Sequence, residues 1–339
     1  MFRLPISELD SFFAKTAADK TLYLPVDGND GRASYQKWTQ GTRLSGQLNT
    51  VRSAKGFFFP QVTNICDFNV KGTDIEVIDN REESEDFVVF GVRACDARSF
   101  TILDKVFLAE PVDSYYATRR AHGTVITLAC TEPEENCFCN VFGIDSAAPE
   151  GDAACWITDN YLYINANTDK GTAFIESVQD ILEETDDAEV KAQQEATHTI
   201  MEKLPFAKAN TDYFRKNTLL EIFNSDKWEK LSEACIGCGT CTFVCPTCQC
   251  YDIKDFDTGH GIKRYRTWDS CMYTDFTKMA HGNSRNAHMQ RFRQRFMHKL
   301  VYFPDNNNGE FGCVGCGRCL SRCPISMNII KVIKTFGEE

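Results

Sequence analysis

The stretch CIGCGTCTFVCP (235–246) returns later in the chain as CVGCGRCLSRCP (313–324), and these two segments decide how the C-terminal third is read. Each has the form C-x2-C-x2-C-x3-C-P. Three thiolates spaced two residues apart can wrap one side of an iron–sulfur cube. Gly237, Gly239, Gly315 and Gly317 allow the tight turns that aim backbone amides at sulfur. The fourth cysteine leaves the loop after a three-residue step, and in two-cluster ferredoxins that residue ligates the other cluster. The expected ligand sets are therefore crossed. Cys235, Cys238, Cys241 and Cys323 hold one [4Fe–4S] cluster, and Cys313, Cys316, Cys319 and Cys245 hold the second. Zinc also takes four cysteines, but usually as two C-x2-C pairs separated by a long spacer. With four protein ligands each, such clusters carry electrons and do not bind substrate.

Working outward, the two motifs are separated by 67 residues, far more than in a small bacterial ferredoxin. A largely helical insert is expected there, as in α-helical ferredoxin domains. Its segment 261–300 carries nine Lys or Arg against two acids. The run RNAHMQRFRQRFMHK (285–299) reads as an amphipathic basic helix. Its arginines can offset cluster charge, dock an acidic partner, or simply be solvated. Cys248, Cys250 and Cys271 crowd the first motif. They are candidates for an additional metal site that lacks a fourth thiol, or for supporting positions around the clusters. His281, His288 and His298 lie in the same basic segment and are expected at the surface or behind the ligands.

The N-terminal half has a different texture. Apolar, β-rich runs occur at TLYLPV (21–26), GFFFP (56–60), IEVID (75–79), FVVFGV (87–92), TVITLA (124–129) and YLYINA (161–166). DARSFTILDKVF (96–107) reads as a helix with Asp96 as N-cap, so residues 87–129 form a βαβ pattern and a parallel pair. Cys95 and Cys130 follow the two strands of that pair. If the strands are neighbours, both thiols emerge at one carboxyl edge, where open α/β sheets place their ligands. Cys137 and Cys139 lie just beyond Cys130. A third [4Fe–4S] cluster on Cys95, Cys130, Cys137 and Cys139 is the functional reading, and four buried free thiols are the alternative. Cys66 and Cys155 belong to no motif and read as structural. TAFIESVQDILEE (172–184) and EVKAQQEATHTIMEKL (189–204) read as connecting helices.

The expected fold class is α+β. An N-terminal α/β domain with a partly parallel sheet spans 1–168, a helical connector 169–230 and an α-helical ferredoxin-type domain 231–339. The chain has 339 residues, 42% hydrophobic and 25% charged, which suits a globular protein with a sizeable core. Seventeen cysteines, with no signal-peptide pattern at the start and no apolar run long enough to span a bilayer, predict a cytoplasmic protein whose thiols bind metal. A net charge of −11 argues against nucleic acid as a partner. There is no G-x-G-x-x-G after a strand, no P-loop, no C-x2-C-H and no H-E-x-x-H. Nicotinamide, flavin, nucleotide, c-type haem and zincin chemistry therefore have no fingerprint here.

The strings FGVRACDARSF, NCFC, CIGCGTCTFVCPTCQCYD, RTWDSCM, RQRFMHKL and CVGCGRCLSRCP, in this order, resemble one family of dicluster proteins. It comprises the iron–sulfur subunit of anaerobic sulfite reductase and the beta subunit of soluble NiFe hydrogenases. The resemblance runs from about residue 85 to 325. It implies a non-catalytic electron conduit between a flavin-containing subunit that reacts with NAD(P)H and a catalytic subunit carrying a NiFe centre or siroheme. It also implies that the N-terminal cysteines and Cys248, Cys250 and Cys271 belong to the family pattern. RQRFMHKLVYFP followed by CVGCGRC sits nearer the hydrogenase branch. The competing expectation is a self-contained iron–sulfur enzyme that binds a small molecule or an organic cofactor at the N-terminal α/β domain.

Overall fold

A computed structural model of the chain describes residues 1–79 and 85–337. Strands β1 (Phe2–Pro5), β2 (Thr21–Asp27), β3 (Ala33–Lys37), β4 (Val62–Lys71), β5 (Asp74–Asp79) and β6 (Phe87–Val92) come first. They are followed by β7 (Gly123–Leu128), β8 (Ala153–Ile157), β9 (Tyr161–Ala166) and β10 (Glu183–Glu184). Eight of these form one sheet in the order β10-β1-β9-β8-β7-β6-β2-β3. The central strands β2, β6, β7 and β8 are parallel, and antiparallel strands close both margins. The sheet is thus partly parallel, as expected. β6 and β7 are buried along almost their whole length because helices cover both of their faces. Helices α1 (Leu9–Asp19) and α4 (Asp169–Ser177) pack Phe12, Phe13 and Phe174 against Val88 and Phe90. On the other face α2 (Ala94–Phe107) and α3 (Ser114–His122) pack Phe100, Leu103 and Tyr116 against Val89 and Val125. Alternate residues of β6 therefore face opposite layers, as the two-residue period of a strand requires.

Four local expectations are revised. GFFFP is no strand: Ala54–Phe57 is a 3-10 turn. Phe58 and Phe59 both sink into the same cluster, beside Phe100 and Phe107, and consecutive residues of a strand cannot do that. Helix α2 begins at Ala94, with Arg93 at the cap position, so Asp96 lies inside the first turn and its carboxylate is free for another task. The stretch 172–184 is not one helix. α4 ends at Ser177, and Glu183–Glu184 then pairs with β1 as a sheet margin. The insert between the motifs is also only partly helical. Its first part is a hairpin, β11 (Tyr251–Asp257) and β12 (Ile262–Trp268), which joins β4 and β5 in a second, four-stranded sheet.

The second part of the insert is one continuous helical run: His288–Met297 is α-helical, His298–Tyr302 is a π-helical turn, and Phe303–Asn306 is α-helical again. Its Phe292 and Phe296 pack on Trp228 from the helix Lys227–Ser232, and Trp228 in turn contacts Phe336 of the last helix, Ile329–Gly337. This aromatic core lies behind the two cysteine motifs, with Phe138 of the N-terminal half in the same cluster. Among the described residues no helix is long and apolar enough to cross a membrane.

Candidate iron–sulfur centres

In both motifs the first two cysteines lie on a loop whose glycines hold the left-handed conformation, with φ of 69° and 73° at Gly237 and Gly239 and 61° and 74° at Gly315 and Gly317, and the third, Cys241 or Cys319, sits in the short helix after it. A short helix follows each loop, Thr240–Phe243 and Arg318–Ser321. The turns aim amides at sulfur: Gly237 N–H points to Cys235, Thr240 N–H to Cys238, and Gly315 N–H to Cys313. These donors favour the thiolate that a cluster needs. The thiols of the two motifs lie within each other's electrostatic reach. Cys235 senses Cys241 and Cys238, and Cys241 senses Cys245 and Cys238 of its own motif and then Cys323 of the other. Burial pushes the Cys313 thiol up to about 12, with Cys319 and Cys245 adding to the rise, and Cys316 also faces Cys245 and Cys319. Cys238 is the outermost thiol. The Thr240 hydroxyl beside it holds its pKa below the ordinary value.

The N-terminal thiols are assembled by topology. β6 and β7 are adjacent and parallel, with Val89 opposite Val125. Cys95 sits in the first turn of α2 directly after β6, and Cys130 directly after β7. Arg93 ties the two strand ends together, donating to the carbonyls of Leu48 (2.8 Å) and Ala129 (2.9 Å). Cys137 follows on the loop, and Cys139 opens a single 3-10 turn. All four thiols line one cavity, together with Cys316 of the second motif. Burial pushes Cys95 and Cys130 up and Cys137 up to about 12, so without metal these groups are protonated. Cluster assembly would therefore release protons here.

The two halves meet at this cavity. Phe138 N–H donates to Gly315 O at 3.0 Å. A Cβ at Gly315 would stand 2.4 Å from Phe138 O, and one at Gly317 would stand 2.6 Å from Asn136 O. The NCFC segment is thus pressed onto the CVGCGRC loop so closely that only glycine fits. Beside it Arg318, 4% exposed, donates to both carboxylate oxygens of Asp96 at 2.5 and 2.8 Å and to Thr50 O at 3.0 Å. Both Cys95 and Cys316 feel the charges of this buried pair.

Cys248, Cys250 and Cys271 line a second cavity with Arg295, His298 and Lys299. Lys299 donates to Thr247 Oγ1 (2.7 Å) and Gly312 O (3.2 Å), which joins the end of one motif to the start of the other. Lys55 comes from the N-terminal half, donates to Cys248 O at 2.9 Å and lies over the Trp268 ring. Its burial lowers the Lys55 amine to about 8, while the Cys248 and Cys245 thiolates act in the opposite sense. Arg295 is 3% exposed and its Nε has no hydrogen-bond partner. None of Lys55, Arg295 and Lys299 has a carboxylate partner among the described residues. The negative groups facing them are thiols. Buried cations need counter-charge, so this donor set fits anionic, thiolate-ligated clusters. Of the remaining cysteines, Cys155 is fully buried in the sheet core and Cys66 lies on β4. His281 is exposed, and the His288 ring lies against Gly237.

The cations have no signature in the sequence. Lys55 precedes a run with the pattern of a strand. Arg318 sits inside the motif as one of its variable positions, and Arg295 and Lys299 are indistinguishable by spacing from the solvated arginines around them. Among the described residues no three Cys, His, Asp or Glu side chains converge tightly enough to grip a single metal ion. A [4Fe–4S] cube takes one thiolate per iron, so its ligands are spread around the cube.

Comparison with known proteins agrees with this geometry. A family model described as a 4Fe-4S dicluster domain matches residues 234–327. Sulfhydrogenase 2 subunit beta of Pyrococcus furiosus is 34% identical over 277 residues, covering 80% of this chain and 79% of that protein. No solved structure matches.

Proposed function

The chain belongs to the family of hydrogenase-type beta subunits, iron–sulfur electron-transfer subunits, and on that premise we propose that it relays electrons through three [4Fe–4S] sites. The donor and acceptor would be a flavin-containing subunit reactive with NAD(P)H and a NiFe catalytic subunit. The N-terminal site would use Cys95, Cys130, Cys137 and Cys139. The ferredoxin pair would use the crossed sets Cys235, Cys238, Cys241 and Cys323, and Cys313, Cys316, Cys319 and Cys245. The observation that carries this reading is the pressing of the NCFC segment onto the Gly315 loop, which leaves no protein layer between the N-terminal cavity and Cys316. Domains at 1–168, 169–230 and 231–339, and a cytoplasmic location, complete the proposal. Seventeen free thiols suit a reducing compartment.

When bound, [4Fe–4S] clusters supply one-electron storage at potentials set by burial, charge and hydrogen bonds to sulfur. The residues of this chain provide those settings. The motif amides stabilise thiolate. Lys299 and Arg295 place positive charge beside the ferredoxin pair, which makes accepting an electron easier. The Arg318–Asp96 pair is neutral as a unit and fixes the spacing between the N-terminal cavity and the second motif.

The test is iron content and spectroscopy of the anaerobically purified full chain. Cys137→Ser should remove about four irons per chain and leave both ferredoxin signals. Iron content unchanged by that substitution would remove the N-terminal site. Cys323→Ser should perturb the cluster on Cys235, Cys238 and Cys241, and a change confined to the other cluster would overturn the crossed sets. Purification from the native cell should bring down a flavoprotein and a NiFe protein. A siroheme protein in their place would move the chain to the sulfite reductase branch.

A further inference from the structure

We propose that Cys248, Cys250, Cys271 and His298 hold a further [4Fe–4S] cluster, beyond the three sites of the conduit. The hairpin explains how the thiols meet. In its ladder Tyr251 pairs with Trp268, and Asp269 N–H continues the ladder by donating to Cys250 O at 3.0 Å. The open end of the hairpin thus carries Cys248 and Cys250 on one leg and Cys271 on the other, although the intervening chain separates them in sequence. The Cys250 and Cys271 thiols stand side by side, and Cys248 stands against Cys245 of the neighbouring ferredoxin set.

The fourth ligand comes from the helical run opposite. Arg295, His298 and Lys299 follow an i, i+3, i+4 spacing, which puts them on one helix face, and all three line the cavity of the three thiols. The π-helical turn begins at His298, and such turns recur at functional sites in helices. Imidazole replaces thiolate on iron in known cluster types, so three cysteines and one histidine form a chemically complete donor set. The charge agrees. Lys55 and Lys299 flank Cys248, and Arg295 lines the same cavity, with no carboxylate paired to any of them among the described residues. An anionic cluster supplies the counter-charge that a buried cation requires. Contact between Cys248 and Cys245 makes this cluster a direct neighbour of the second ferredoxin cluster, and so a branch for electrons and not a separate centre.

The test uses the anaerobically purified full chain, reduced stepwise. Cys250→Ser and Cys271→Ser should each lower the iron content by about four per chain, while the ferredoxin signals and the signal abolished by Cys137→Ser persist. The reduced wild-type chain should show a nitrogen hyperfine coupling from the imidazole ligand. His298→Cys should keep the irons, abolish that coupling and lower the potential of one cluster. Unchanged iron content in both serine variants overturns the site. If those variants do not fold, the wild-type spectrum decides alone, and absence of a nitrogen coupling overturns the site. These failures are separate from failure of the conduit reading, which would appear as a wild-type chain without the paired ferredoxin signals.

Discussion

The ferredoxin loops and the N-terminal thiol group are both candidate cluster sites, but they are built in opposite ways. Each loop carries three thiols with their spacing, glycines and closing proline in one short segment, and on the crossed reading needs only its fourth ligand from the other loop. The N-terminal group depends on a parallel strand pair, two separate chain crossings and a loop that must be held against another part of the molecule. A local motif survives changes elsewhere, whereas a site assembled by topology inherits every weakness of its supports. The N-terminal site should therefore fail first under most perturbations, and its supports are the places to test that.

The largest effect is expected at Arg318. Arg318→Met leaves the Asp96 carboxylate buried without a partner, and breaking one side of a buried pair costs about 3–5 kcal/mol. The variant should melt at lower temperature and lose the iron attributed to the N-terminal cysteines before that of the ferredoxin pair. The double variant Asp96→Leu with Arg318→Met should regain most of the stability, because an apolar pair of similar volume replaces a buried ion pair at little cost. Equal loss from both regions would erase the contrast between them.

Gly315 gives a smaller and more local test. Alanine there meets Phe138 O at 2.4 Å and must also hold φ near +61°, which alone costs about 1–2 kcal/mol. Gly143 has φ of +70° and nothing near its missing Cβ, so Gly143→Ala carries only that backbone cost, about 1–2 kcal/mol. The two substitutions separate strain from collision. Gly315→Ala should displace the NCFC segment and deplete the N-terminal iron, and Gly143→Ala should lower the melting temperature slightly with iron retained.

This contrast also sets what can be read from the sequence. The strands FVVFGV and YLYINA are legible to the residue, because a parallel core and a two-residue alternation leave plain patterns. The emergence of Cys95 and Cys130 at one edge follows only once β6 and β7 are known to be parallel neighbours. The roles of Lys55, Asp96, Arg295, Lys299 and Arg318 are not legible. A charge run looks the same whether it faces water or thiols, and only tertiary contact distinguishes them. The hairpin that brings Cys271 to Cys250 is hidden because its apolar residues do not alternate: Ile262, Tyr265 and Trp268 stand three apart, a spacing that a helix also gives.

The smallest effect concerns acid. Burial pushes the Asp145 carboxyl up, but the His198 ring at 2.8 Å and the amides of Ala147 and Ala148 together outweigh it and hold the group below the usual carboxylate range. A carboxyl depressed in the folded state adds stability above its unfolded pKa, near 4, and loses it as pH falls through the depressed folded value. Asp145 lies between Ile144, whose N–H donates to Cys139 O, and Ser146, whose carbonyl accepts from Cys130 N–H. Helix α5 (Ala188–Lys203) carries His198, and its Thr197 hydroxyl donates to Cys130 O at 2.9 Å. Protonating Asp145 thus loosens the brace behind two N-terminal thiols, whereas the carboxylate that braces a ferredoxin loop, Asp96, is buried against the Arg318 guanidinium. Below about pH 4 the iron lost on Cys137→Ser should leave faster than the rest. His198→Ala should move that onset to higher pH, because the carboxyl then titrates nearer its ordinary value. Release of the ferredoxin irons first, or an onset indifferent to His198, would show that acid acts elsewhere.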